Sequence, residues 1–188
     1  LRRARSTSPD FVTNTTPCAL AVIGAAGPTS ERAPGTSPSA GFTPASDAAL
    51  DRAWNLLTDD ARGEPGSLEV LGRKLAIPRQ ARGVARFAFA DLCEAALGPA
   101  DYLAIARHFH TVMIDGIPTL SPAKRNEAKR FVTLIDTLYE AKVKLLASAE
   151  APPETLYPTG DGAFEFQRCV SRLNEMQSED YRALEHSP

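Results

Sequence analysis

Arg168 and Arg172 stand four residues apart in FEFQRCVSRLNEM, so a helix would put both on one face. Paired guanidiniums suit phosphate chemistry, because a fixed planar fork matches phosphate oxygens and stabilises charge in phosphoryl transfer. They suit a solvent-facing ladder equally well, since Glu175 and Glu179 fall on the same stripe, opposite Val170, Leu173, Tyr181 and Leu184. Asp115 closes the apolar run TVMID. Ligands of open parallel sheets gather at such strand ends, and a P-loop enzyme keeps its metal-holding carboxylate there. Gly116 follows in place of a second acid, so a strand-ending Asp in a turn is the competing reading. Ser148 and Glu150 occupy the matching end of the next apolar run, as a polar sensor and base or as solvated loop residues. His108 and His110 lie two apart and lack the i, i+4 spacing of helical metal ligands, so no metal site is predicted. No Ser/His/Asp set or nucleophile elbow follows from spacing either.

Such residues need elements to hold them. The stretch from Ser121 to Ala141 organises the chain, because Phe131, Leu134, Ile135, Leu138 and Tyr139 recur at helical spacing on one face. Ser121 before Pro122 predicts its start, with a capping hydroxyl and a ring preset to helical φ. TVMID (Thr111 to Asp115) and VKLLASA (Val143 to Ala149) flank it as apolar runs. Strand, helix, strand predicts a crossover with the two strands parallel. Upstream, a helix is expected from near Pro44 with Ser46 as its N-cap. LEVLGRKLAIP (Leu68 to Pro78) reads as a hairpin about Gly72, and VARFAFADLC (Val84 to Cys93) as a strand with Phe87 and Phe89 on one face. Gly98-Pro99 opens a helix to about Phe109. Phe164 and Phe166 suggest a short extended alternation before a helix from about Gln167 to Leu184. The predicted class is α/β, with a small, mainly parallel sheet, a β-hairpin and a C-terminal helix.

A net charge of -2 and a pI near 6.0 give no electrostatic case for nucleic acid or an anionic membrane. Cys18, Cys93 and Cys169 form an odd, unpatterned set, which favours a reducing compartment over a disulfide framework. Residues 1–45 are crowded with Ser, Thr, Pro and Gly and read as a disordered tail, leaving 46–188 as the α/β domain. Within that tail CALAVIGAAGPTS is a strand-like island. It lacks G-x-x-x-x-G-K-[ST], no lysine precedes Lys74, and its arginines stand too far from the run for a targeting peptide. The chain starts with Leu1, and processing, trimming or a fragment is the expectation that start raises.

FAFADLC, DYLAIARHFHTVMIDGIPTL, EAKRFVTLIDTLYEAKVKLLASAEAPPETLY and above all FEFQRCVSRLNEMQSEDY resemble the C-terminal part of the ZapE-like, AFG-one-like P-loop ATPase family. The resemblance covers roughly Phe42 to His186. It implies a partial AAA+/P-loop-type layer, and a cytoplasmic full-length protein that hydrolyses ATP with Mg2+ and assembles as a homo-oligomer. It also implies partners such as FtsZ or other cell-division proteins, with at most peripheral membrane contact. The family's phosphate loop, first aspartate-ending strand and sensor strand lie upstream of the matching part. Asp115 therefore belongs to a later strand, and Asp115 and Glu150 are only weak cofactor-binding candidates. Arg168 and Arg172 carry over as candidates for sensing or completing a nucleotide site. This chain by itself is expected not to hydrolyse ATP and to bind no cofactor. The alternatives are a partner-binding module using the last helix or the Phe87/Phe89 strand, and an inactive truncated product.

Overall fold

The computed structural model describes residues 22–24 and 44–187. Its elements are β1 (Val22–Gly24), α1 (Pro44–Thr58), β2 (Glu64–Val70), β3 (Arg73–Ala81), β4 (Val84–Ala88), α2 (Pro99–His108) and β5 (Thr111–Ile117). α3 (Arg125–Glu140), β6 (Lys144–Ala149), α4 (Ala163–Glu175) and α5 (Glu179–Ala183) complete it. The strands form one sheet in the order β1-β6-β5-β4-β3-β2. β4, β5, β6 and β1 run parallel to one another, while β3 runs antiparallel to both β2 and β4. The α/β class and the mainly parallel sheet are as the sequence predicts, consistent with a partial P-loop-type layer. β1 falls within the strand-like island, and Pro44 and Ala45 at the tail's end belong to α1; the rest of the tail expectation lies outside the described residues.

Side-chain alternation along the strands divides the core in two. Ala85, Phe87, Val112, Ile114, Leu145 and Ala147 face α2, α3 and α4 in the larger cluster. Val84, Met113 and Leu146 face the other way and meet Leu50 and Trp54 of α1. Trp54 is fully buried, its indole N–H donates to the Ala61 carbonyl at 2.8 Å, and the Arg79 guanidinium lies 4.1 Å from its ring centroid. Phe87 and Phe89 are 1% and 2% exposed, so both rings belong to the core.

Two turns set the meander. Leu71 and Gly72 take φ of 49° and 77°, and Arg82 and Gly83 take 50° and 76°, the doubly positive pattern that matches strand twist in two-residue hairpins. Leucine at such a site costs about 1 kcal/mol against a residue that tolerates it.

Several boundaries differ from the sequence reading. α1 begins at Pro44, so Ser46 lies inside the helix. The Ser121 hydroxyl caps nothing; a 3-10 turn at Pro122–Lys124 precedes α3, and the Lys124 N–H donates to the Ser121 carbonyl instead. β4 stops at Ala88, where Asp91 accepts from the Ala88 N–H at 2.9 Å and a π-helical turn, Ala90–Glu94, buries Leu92 and Cys93. β5 continues past Asp115 to Ile117 through an irregularity between Ile114 and Ile117. Phe164 and Phe166 lie in α4, not in a strand, because Phe166, Cys169, Val170 and Leu173 recur at helical spacing and are buried together. The last helix is broken: Met176 turns inward and the Ser178 hydroxyl caps α5 by accepting from the Tyr181 N–H at 3.1 Å.

Candidate functional site

α3 and α4 pack along a seam that gathers both candidate arginines. Asp136 and Glu140 stand four apart on α3, facing Arg168 and Arg172 four apart on α4. Asp136 is shared: Arg168 hydrogen-bonds to its Oδ2, and Arg172 Nη1 lies 2.5 Å from its Oδ1. Arg172 also donates to Glu140 at 2.8 Å. The carboxylates are thus supplied by the neighbouring helix, not by Glu175 and Glu179 as a one-helix ladder would have it. Glu175 instead hydrogen-bonds Tyr139 and raises that phenol's pKa.

The two arginines differ in what surrounds them. The Arg172 guanidinium lies 4.8 Å from the Tyr139 ring centroid, and Tyr139 stacks on Tyr181 at 5.4 Å and 15°. Lys144 covers Tyr181, 5.1 Å from its centroid, and donates to the Tyr181 and Leu184 carbonyls at 3.0 and 2.7 Å. Cation, ring, ring and cation therefore form one stack joining α4, α3, α5 and β6. Burial raises the Tyr181 pKa, while burial and then Lys142 lower that of Lys144. The Arg172 side chain is 20% exposed and that of Arg168 60%. Arg172 is built in, and Arg168 is offered.

Arg168 borders a groove of about 450 Å³ between α3 and the segment leading into α4, also lined by Arg125, Lys129, Asp136, Tyr157 and Phe166. Phe166 forms its floor, stacked on Phe131 at 6.1 Å and met edge-on by Tyr157 at 5.3 Å. The Tyr157 hydroxyl donates to the Asp161 carbonyl at 2.9 Å, and a Cβ on Gly160 would come within 2.1 Å of that hydroxyl. Beneath the seam, burial raises the thiol pKa of both Cys93 and Cys169 and keeps them from ionising.

The carboxyl ends of β4 and β5 hold the other candidate, Asp115. Its two oxygens accept from Arg86 Nε and Nη2 at 2.7 and 2.9 Å, and Arg86 also pairs with Asp51 of α1. Burial pulls the Arg86 pKa down, but hydrogen bonds and charge from Asp115 and Asp51 outweigh it and hold the group above its ordinary value. Ser148, for which a strand-end sensor and a solvated loop residue were equal readings, is fully buried, and its Oγ accepts from the Gly116 N–H at 2.9 Å. Glu150 accepts from the Thr119 N–H at 2.8 Å. Ser148 and Glu150 brace one loop, and Asp115 closes a tie between sheet and helix. His110 is engaged at both nitrogens, by Thr111 Oγ1 at 2.9 Å and the Arg82 carbonyl at 3.0 Å.

The residues that single-helix reasoning missed are Asp136, Glu140 and Arg86. For the first two a signal existed: carboxylates spaced i, i+4 on α3 mirror guanidiniums spaced i, i+4 on α4.

The sequence matches the AFG1-like ATPase family over residues 32–185. The chain belongs to the AFG1-like ATPases. It is 41% identical over 139 residues to the cell division protein ZapE of Escherichia coli K12, covering 74% of this chain and 37% of that protein. It is 36% identical over 149 residues to lactation elevated protein 1 homolog B of Danio rerio, covering 62% of this chain and 30% of that protein. This AFG1-like chain thus spans about a third of the length of the curated relatives it matches. No solved structure matches it. Among the described residues no helix is long and apolar enough to cross a membrane.

Proposed function

We propose that these residues form the part of an AFG1-like ATPase that answers to nucleotide, not the part that grips it. In this reading Arg168 is the guanidinium offered to a phosphate and Arg172 holds its anchor, Asp136, in place. The observation that carries it is the asymmetry at Asp136: one carboxylate shared by a locked arginine and an exposed one beside a groove. An exposed guanidinium can leave such a carboxylate for a phosphate without orphaning it, because Arg172 remains. ATP and Mg2+ are the cofactors of the whole enzyme in this reading. Its phosphate loop lies elsewhere, since the 188 residues contain no G-x-x-x-x-G-K-[ST]. A role in cell division follows the name of the bacterial relative, and the same proposal places it in the cytoplasm with FtsZ or another division protein as partner.

Phosphate release tests the reading. The 188-residue chain with ATP and Mg2+ is expected to show no turnover. Joined to the phosphate-loop portion of the bacterial relative, Arg168→Ala should lower kcat about 10²-fold or more and move KM much less. Turnover by the isolated chain that falls on Arg168→Ala would overturn the division of labour. An unchanged kcat in the joined protein would remove Arg168 from it.

A second reading, a partner-binding module, draws on Phe164, which is 89% exposed at the start of α4. Nucleotide-independent capture of purified FtsZ by this chain, lost in Phe164→Ser, would favour it.

A further inference from the structure

α3 carries its charge in the unfavourable order. Arg125, Lys129 and Arg130 stand in its first two turns with Glu127 as the one acid among them, its last turn holds no base, and Asp136 and Glu140 lie toward its end. The helix macrodipole favours the reverse. Such breaks of a local rule gather at functional sites. Arg130 is committed inward, donating to the Cys93 carbonyl at 3.0 Å. Arg125 and Lys129 instead line the groove of about 450 Å³ that Arg168 borders.

The acids of that groove are engaged. Asp161 meets Arg125 at 3.4 Å, and Asp136 keeps Arg172 when Arg168 leaves it. Glu165 Oε2 would lie 3.5 Å from a Cβ on Gly162, so that carboxylate turns toward the start of its own helix, where the dipole favours it. No carboxylate among the described residues pairs with Lys129. Its ammonium and the exchangeable Arg168 guanidinium thus face one groove from two helices. Spacing then sets the size of the anion. Asp136 meets Arg168 and Glu140 meets Arg172, so α3 and α4 run in the same direction. Lys129 stands two turns before Asp136, about 10 Å along the axis, a span that suits linked phosphates better than a single one. The turn at Gly160 to Gly162 walls the groove and is pinned by the Tyr157 hydroxyl, so the space is preformed.

We propose that this groove receives linked phosphates, the tail of a nucleoside triphosphate or inorganic polyphosphate, with Lys129 as the second cation beside Arg168. Arg168 leaves Asp136 for the phosphates, Arg172 keeps Asp136 paired, and Lys129 holds the other end of the phosphate chain. The inference rests on the nucleotide role given above to Arg168 and extends it to a residue on another helix.

Isothermal titration of the 188-residue chain with inorganic tripolyphosphate and with ATP tests this. Tripolyphosphate should bind with a Kd on the order of 0.1–1 mM at low salt and weaken as salt screens the charges. Lys129→Gln and Arg168→Gln should each weaken it about tenfold with Tm unchanged, and orthophosphate should bind the wild-type chain about tenfold more weakly. Lys74→Gln, on the β2–β3 hairpin, should change nothing, which separates the groove from general attraction to exposed cations. Tighter binding of ATP identifies the nucleotide as the ligand, and tighter binding of tripolyphosphate the inorganic chain. No binding of either, affinity indifferent to Lys129→Gln, or orthophosphate bound as tightly as tripolyphosphate overturns the proposal. In the joined protein, a kcat lowered by Arg168→Ala with kcat and KM untouched by Lys129→Gln would keep the nucleotide reading and overturn this one.

Discussion

Two arginine-centred ties among the described residues, one at the sheet and one at the α3–α4 seam, are built differently. At the sheet's carboxyl end one guanidinium, Arg86, serves two carboxylates and is only 12% exposed. At the α3–α4 seam two guanidiniums share Asp136, one of them stacked on an aromatic pair and the other 60% exposed. The first has no spare cation: removing Arg86 leaves Asp115 and Asp51 facing each other. The second can lose Arg168 and still pair Asp136. Redundancy of charge, more than the presence of arginine, separates a structural tie from a site able to exchange partners.

The largest expected effect follows from that contrast. Arg86→Ala should cost about 2–3 kcal/mol of stability, toward the lower end for breaking a buried pair because Asp51 is well exposed. Urea unfolding measures it, and a loss under about 0.5 kcal/mol would show the sheet tie to be as dispensable as a surface pair. Arg172→Ala should cost about 1–2 kcal/mol, since it removes a two-carboxylate contact and the cap on Tyr139 together. Arg172→Lys should recover little, because a point charge cannot span Asp136 and Glu140 as the fork does.

How much of this was legible beforehand depends on how far apart the cooperating residues lie. The crossover around α3 and the hairpin about Gly72 were readable because each is written in one continuous stretch, as periodicity or as turn chemistry. The break before α5 was missed although Ser178 followed by Glu179 and Asp180 is a helix-start signal, because the apolar stripe continues across it. The pairing of Arg168 and Arg172 with Asp136 and Glu140 spans 32 residues, and spacing within one helix names a face without naming what covers it. The burial of Ser148 was not legible because the irregularity at Asp115–Gly116 that draws its hydroxyl inward has no sequence signature beyond the glycine.

Alkali distinguishes the ties next, because only the seam contains titrating rings. The phenol pKa values of Tyr181 and Tyr139 are raised in the folded state, by burial and by the bond to Glu175 respectively. A raised phenol binds its proton more tightly when folded, so its contribution is fully present below about pH 10 and is lost as pH rises beyond that. Lys144 acts the other way: its lowered pKa means the cost of burying its charge is relieved as pH climbs. The phenols and the buried thiols outnumber it, so the urea midpoint should fall as pH rises above about 9, the thiols contributing first and the phenols above about pH 10. Tyr181→Phe should flatten that fall. An equal slope in the variant would place the loss outside the stack.

Arg168→Ala should have the smallest effect on stability, within about 0.5 kcal/mol, despite removing a hydrogen bond to Asp136. The reasoning is electrostatic. An arginine side chain that is 60% exposed gives up little hydration when it leaves, and the carboxylate it abandons keeps Arg172 at 2.5 Å. Charge-reversed rescue sharpens this: Asp136→Arg with Arg168→Asp should not restore wild-type stability, because Arg172 would then face a cation. If Arg168→Ala instead proved as costly as Arg172→Ala, the seam would be a four-member network with no spare guanidinium. Its resemblance to the Arg86 tie would then outweigh the difference.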